Sequence, residues 1–160
     1  MSTKIHVIRK SEFEDMDQVV EAHIRSIREI CSRDYSPQEI DAYSDVKYSH
    51  DVWEKSITQD FHLVVEVDGK VEGFAHAGIH PSNRGEIMGL YFTPAIAGRG
   101  IGREIFERMN VFFEDHDVNQ VFLTSSKTAK GFYQKMGFSV VDQVIVNICG
   151  AGLECYYMEN

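Results

Sequence analysis

Cysteine is scarce in this sequence, and the three that occur, Cys31, Cys149 and Cys155, have no paired spacing. The sequence therefore provides no disulfide framework, and an odd number of thiols is typical of a protein from a reducing compartment. No apolar run approaches the ~20 residues that a membrane-spanning helix needs, and the first residues contain no apolar segment of the signal-peptide kind. We therefore expect a cytoplasmic protein with no membrane partner.

Basic residues are also few. The sequence has 16 Lys and Arg and 25 Asp and Glu, which gives a formal net charge of −9. A general nucleic-acid binder needs a basic face, so no nucleic-acid partner is expected. The seven histidines and three cysteines show no metal-ligand spacing, which predicts that no metal is bound. The only stretches with net positive charge are residues 97–110 and 124–137. These two stretches are where a polyanionic ligand would be expected.

The length of 160 residues is typical of one domain, and we expect 1–160 to fold as such. Ser11 with Glu14, and Ser36 with Glu39, have the spacing of capping boxes that begin helices. Periodicity predicts strands at 4–9, 61–67, 71–79, 86–92, 118–124, 138–148 and 153–158, and helices at about 11–30, 36–43, 51–57, 100–113 and 126–136. The mixture predicts the α/β class, with one mixed sheet.

A glycine-rich segment, Ala97-Gly98-Arg99-Gly100-Ile101-Gly102, follows a predicted strand and Pro94 and begins a helix. Its amide groups would converge at the N-terminus of that helix, where an anion is favoured. A dinucleotide fingerprint requires a glycine where this chain has Arg103, and no P-loop sequence is present. A helix start without a ligand would explain two glycines but not the whole set. The segment therefore predicts a phosphate-binding turn.

A second motif lies about thirty residues further on and runs from Ser126 to Phe138, with Gly131-Phe132-Tyr133 inside a predicted helix. A tyrosine hydroxyl can protonate a leaving group in a transfer reaction. Tyrosine at helical spacing is otherwise common in a protein core. The residues of this motif alone leave both interpretations of Tyr133 open.

In this order, the two motifs resemble the signature of the GNAT superfamily of acetyl-CoA-dependent N-acetyltransferases. The resemblance implies a mostly antiparallel sheet of about seven strands, splayed between strands 4 and 5, with four or so helices on both faces. It implies acetyl transfer from acetyl-CoA to a primary amine by direct attack, since neither motif contains a cysteine. Residues 34–43 and 146–158 further resemble a bacterial group of uncharacterised acetyltransferases.

The resemblance also implies the residues that contact the cofactor: Leu90, Tyr91, Phe92, Ala97, Gly98, Arg99, Gly100, Ile101, Gly102, Arg103, Ser126, Lys130 and Phe132. Tyr133 is implied as the acid that protonates the coenzyme A thiolate. Ala97 departs from the family, which usually has Gln or Arg there. Because main-chain amides hold most of the pyrophosphate in the family, we expect this departure to weaken cofactor affinity rather than to remove binding.

The base that deprotonates the amine is predicted to be Glu86, which begins the strand beside the cofactor. Strand alternation predicts that Glu86, Met88 and Leu90 share one face. An ordinary exposed glutamate at a strand end is an equal alternative. His76 and His80 are further candidates for the base.

Candidate residues of the acceptor pocket are Tyr35, Tyr43, Trp53 and His76, although the aromatic ones are equally explained as core residues. Residues 1–60 carry 8 basic against 13 acidic side chains, which favours a small cationic acceptor. Two alternatives stay open: an acyl-CoA-binding regulatory module with little catalysis, and an acetyltransferase that acts on a protein or peptide amine. The expected association state is a monomer or a homodimer.

Overall fold

The computed structural model describes residues 5–45 and 48–160. Lys4, which was predicted to begin the first strand, lies outside the described residues. In chain order the elements are β1 (His6–Lys10), a 3₁₀ turn (Phe13–Asp15), α1 (Met16–Glu29), a second 3₁₀ turn (Cys31–Arg33), α2 (Pro37–Ser44), α3 (His50–Gln59), β2 (Phe61–Val67), β3 (Lys70–Ile79), β4 (Arg84–Phe92), α4 (Ile101–Asp115), β5 (Gln120–Ser126), α5 (Lys130–Lys135), β6 (Ser139–Ile148) and β7 (Ala151–Glu159).

One sheet joins the seven described strands in the order β1-β2-β3-β4-β5-β7-β6. All neighbouring pairs are antiparallel except β4 and β5, which are parallel. This parallel pair is short, because only Arg84–Glu86 pairs with Gln120–Phe122. Beyond Glu86 the two strands diverge, so the rest of β4 is unpaired on that side. The predicted seven-stranded sheet with a splay between strands 4 and 5 is confirmed.

Strand β4 contains a bulge, because Ile87 and Gly89 pair with adjacent residues of β3 and Met88 is left between them. A one-residue bulge reverses the alternation of side chains beyond it. Leu90 accordingly packs in the same core cluster as Ile87, whereas Met88 lines a cavity on the other side of the sheet. The prediction that Glu86, Met88 and Leu90 share one face is therefore wrong for Leu90.

The first turn of the N-terminal helical segment differs from the prediction. Ser11 is buried and its Oγ lies 2.6 Å from His62 Nδ1, so it does not cap the helix. A capping box is made instead by Glu12 and Asp15. The predicted Ser36 box is confirmed, with Ser36 Oγ accepting from the Glu39 amide at 3.2 Å.

Helices cover both faces of the sheet and bury a core on each. On one face, α4 packs Ile101, Ile105 and Met109 into a cluster with residues of the central strands. On the other face, α1 packs Val19 and Ala22 against β2 and β3. Among the described residues, no helix is both long enough and apolar enough to cross a membrane.

Candidate active site

The glycine-rich turn has the backbone conformation that only glycine adopts readily. Gly98 and Gly100 have φ of 77° and 80°, and Gly100 is the N-cap of α4. This left-handed region carries no steric penalty for glycine. Gly102 is needed for a different reason, since a Cβ there would lie 2.9 Å from the Phe132 ring on α5. The turn thus brings the free amides of α4 close to the second motif.

A cavity of about 460 Å³ opens beside this turn, between β4, α4 and α5. All the predicted cofactor residues line it except Lys130, and so does Tyr133. Lys130 places its Nζ 4.3 Å above the ring of Tyr156 instead. The lining residues that the sequence did not indicate are Ser26, Ile30, Cys31, Ile96, Thr128, Ala129, Lys135 and Met136. We call this space the cofactor cavity.

Three cationic side chains, Arg99, Arg103 and Lys135, line the cofactor cavity. In the part of the chain that the structure describes, none of the three has a carboxylate within ion-pair distance. Unpaired cations around a cavity attract a polyanionic ligand. The positive charges of the two motifs therefore lie around the same cavity.

Tyr133 on α5 is 5% exposed, and its ring packs against Phe132 and Phe138 with centroids 5.4 Å and 5.9 Å away. Burial raises the pKa of Tyr133 above its usual range, so the hydroxyl remains protonated at neutral pH. The residue also lines the cofactor cavity. A protonated phenol in this position can donate a proton to a group inside the cavity.

A second cavity, of about 220 Å³, lies on the α1 and α3 side of β3 and β4. Its lining residues are His23, Tyr48, Val52, Trp53, Ser56, Phe74, His76, Met88, Gly89 and Tyr91. Tyr91 of β4 also lines the cofactor cavity, so this residue belongs to the walls of both spaces. We call the second space the acceptor cavity. Of the four predicted acceptor residues, Trp53 and His76 line it.

The other two predicted acceptor residues are core aromatics. Tyr35 is 6% exposed, and its hydroxyl donates to the Glu154 carbonyl at 2.7 Å and accepts from the Lys127 amide at 2.9 Å. The hydroxyl of Tyr43 lies 2.9 Å from that of Tyr91. Neither Tyr35 nor Tyr43 lines either cavity. The contact of Tyr43 with the site is therefore limited to its hydrogen bond with Tyr91.

Two pairs of histidine and carboxylate involve residues of β3 and β4, the turn after β3, and Asp60 between α3 and β2. His80 Nε2 is 2.9 Å from Glu86 Oε1, and His76 Nε2 is 2.8 Å from Asp60 Oδ2. Of these four residues, only His76 lines either of the two cavities. When Nε2 of His76 donates to Asp60, the other ring nitrogen can accept a proton.

His23 was noted in the sequence only as part of the apolar stripe of α1. In the structure it is buried, and its ring stands edge-on to Tyr91 at 4.5 Å between centroids. Burial lowers the pKa of His23 to about 4. The imidazole in the wall of the acceptor cavity is therefore neutral at physiological pH.

Comparison with known proteins gives the family of this chain. Residues 31–159 match the family model described as an acetyltransferase (GNAT) domain. The chain belongs to the GNAT family. It is thus an acyl-CoA N-acyltransferase by family, and the resemblance of its two motifs is confirmed.

GNAT proteins also appear among its relatives and structural neighbours. The chain is 25% identical to the uncharacterised N-acetyltransferase YafP of Escherichia coli K12 over 151 residues, which cover 94% of this chain and 93% of YafP. A GCN5-related N-acetyltransferase from Rhodopseudomonas palustris superposes with a TM-score of 0.85 at 21% identity, covering 100% and 96% of the two chains. PaiA N-acetyltransferase from Thermoplasma acidophilum, solved with coenzyme A, gives 0.77 at 24% identity, covering 100% and 99%.

Proposed function

We propose that this GNAT enzyme transfers the acetyl group of acetyl-CoA to the primary amine of a small cationic acceptor. The observation that carries the proposal is that Tyr91 lines two cavities, one lined by both motifs and one lined by residues of α1, α3, β3 and β4. Such an arrangement lets an amine reach a thioester held at the splay without an enzyme-bound acetyl intermediate. The coenzyme A complex of PaiA supports the choice of cofactor.

Cofactor binding follows from the turn and the splay. The amides from Gly98 to Gly102 would hold the pyrophosphate, with Arg99 and Arg103 supplying positive charge. The unpaired side of β4 would hydrogen-bond the pantetheine, because the divergence beyond Glu86 leaves those main-chain groups without a strand partner. In this arrangement the thioester of acetyl-CoA would lie between Leu90 and Tyr133.

Acetyl transfer then takes two steps, attack on the thioester and loss of the thiolate. The free amine attacks the thioester carbonyl, a C–N bond forms, and the resulting oxyanion is stabilised by a main-chain N–H near Leu90. The intermediate then collapses as the C–S bond breaks and Tyr133 donates its proton to the departing thiolate. The nitrogen of the new amide loses its extra proton, and the phenolate regains a proton through solvent, so the proton balance closes.

The acceptor reaches the enzyme as an ammonium ion and must lose a proton before it attacks. Glu86 is one candidate base, acting from the end of the short β4–β5 pairing. His76 is the second, and its contact with the acceptor cavity together with its Asp60 partner favours it for direct proton transfer. Glu86 would have to act through water, since it does not line that cavity.

The proposed function is tested by release of free coenzyme A from acetyl-CoA in a screen of amines, with mass spectrometry of each acceptor. We expect amine-dependent release and an acetylated product. Release that is slow and independent of amine, with tight binding of acetyl-CoA, would instead support a regulatory module with little catalysis. Acetylation of peptide or protein amines alone would support the macromolecular alternative.

A further inference from the structure

We propose that the preferred acceptor is a primary amine on a short chain from one aromatic ring, an arylalkylamine, and that polyamines are poor acceptors. This inference rests on the proposed function and concerns the acceptor cavity defined above. Three features of that cavity carry it: the orientation of its rings, the lack of charged groups in its wall, and its size.

The wall of the acceptor cavity is largely aromatic, with rings at steep angles to one another. Tyr48 and Trp53 meet at 5.6 Å and 87°, Trp53 and Phe74 at 6.0 Å and 75°, and His23 and Tyr91 at 4.5 Å and 88°. Rings set at these angles present both faces and edges to the enclosed space. A flat ring entering it can make edge-to-face contacts on more than one side, and such contacts are favourable.

The described residues of this wall include no carboxylate, ammonium or guanidinium group. No Asp, Glu, Lys or Arg is among the described residues that line the acceptor cavity. His23 is neutral, because burial lowers its pKa to about 4, and the hydroxyl of Ser56 already donates to the Trp53 carbonyl at 2.8 Å. A second ammonium or a carboxylate held inside this wall would lose its hydration without a counter-charge, which is costly. A polyamine that instead extended its second ammonium into solvent would leave only an alkyl chain against the rings.

His76 is the residue of the acceptor cavity that has a carboxylate partner. His76 on β3 pairs with Gly89 on β4, next to Leu90, and its ring nitrogen is held by Asp60. The reacting amine is therefore expected beside His76. The neutral body of the acceptor then extends toward Trp53 and Tyr48.

The size of the acceptor cavity limits that body. Its volume of about 220 Å³ is about half that of the cofactor cavity, which is about 460 Å³. One ring with a short chain fits such a space. The half-exposed side chains of Tyr48, Val52 and Met88 form its open rim. A longer acceptor would extend through this rim into solvent, as a peptide with an apolar first residue would.

The test compares kcat/KM for 2-phenylethylamine, n-butylamine, spermidine and a tetrapeptide that begins with phenylalanine. We expect 2-phenylethylamine to exceed spermidine and the peptide by about tenfold or more, which corresponds to about 1.4 kcal/mol in transition-state binding. Equal or better values for spermidine or the peptide would overturn the inference. If no amine releases coenzyme A, the proposed function itself fails, so the two failures are distinguishable.

Variants of Trp53 provide a second test of this acceptor preference. Trp53→Ala should raise KM for 2-phenylethylamine by about tenfold while the dissociation constant of acetyl-CoA stays unchanged, and Trp53→Phe should recover most of the loss. Val111→Ala, at an exposed position on α4, serves as the control. Unchanged acetyl-CoA binding shows that the Trp53 variant is folded. An unchanged KM in that folded variant would contradict the aromatic cavity as the acceptor site.

Discussion

Introducing a negative charge at Gly100 should weaken acetyl-CoA binding specifically, if the turn holds a pyrophosphate. A Cβ at this position would meet no atom within 4 Å, so there is room for a side chain. The φ of 80° is strained for most residues, but Asp and Asn tolerate the left-handed region better than the rest. Gly100→Asn is therefore a matched control for Gly100→Asp, since the two share shape and backbone strain and differ in charge.

The magnitude follows from simple electrostatics. A carboxylate about 6 Å from one phosphate charge is repelled by about 3 kcal/mol at an effective dielectric constant of about 20. Salt and movement of the side chain toward solvent reduce this value. We therefore expect the dissociation constant to rise at least about tenfold, or about 1.4 kcal/mol, in Gly100→Asp relative to Gly100→Asn.

Titration calorimetry with acetyl-CoA measures this difference directly. The ratio between the two variants should shrink as salt is added, because screening weakens the repulsion. The thermal midpoints of the two variants should be similar, since their backbone strain is the same. Dissociation constants within twofold of each other at low salt would refute the assignment of the turn as the phosphate site.

Three other predictions concern the core, the acid stability and the base. Tyr35→Phe should lower the free energy of unfolding by about 1–3 kcal/mol, seen by urea denaturation, without changing KM. Arg9 lowers the pKa of Asp15 through two hydrogen bonds, so stability should fall as pH drops below about 4, and less steeply in Asp15→Asn. In steady-state assays, His76→Gln should reduce kcat more than Glu86→Gln; the reverse order would make Glu86 the base.

The glycine-rich motif was sufficient to predict a turn and the helix that follows it. The positive φ at Gly98 and Gly100 and the helix that follows are determined by neighbouring residues, so a short motif was sufficient to indicate them. The splay followed from the family resemblance and is confirmed by the short β4–β5 pairing. The cofactor contact of Lys130 stays a prediction, and the position of its Nζ over Tyr156 depends on a strand more than twenty residues away.

The acceptor side could not be predicted in the same way, because its geometry arises from tertiary structure. The bulge at Met88 reverses the alternation that placed Leu90 with Glu86, and it depends on register with β3. Tyr35 and Trp53 are both aromatic residues of the first sixty, yet one bonds main-chain groups in the core and the other lines a cavity. The contacts of His23 likewise involve four separate segments.

In the proposed mechanism, Tyr133 is the acid that protonates the thiolate when the acetyl group passes to the amine. The Tyr133→Phe variant measures this role. The substitution keeps the buried ring and removes only the hydroxyl. We predict a fall in kcat of about a hundredfold or more, with the dissociation constant of acetyl-CoA unchanged by calorimetry. A kcat within twofold of the parent enzyme at saturating substrates would contradict the account and leave Tyr133 as a packing residue.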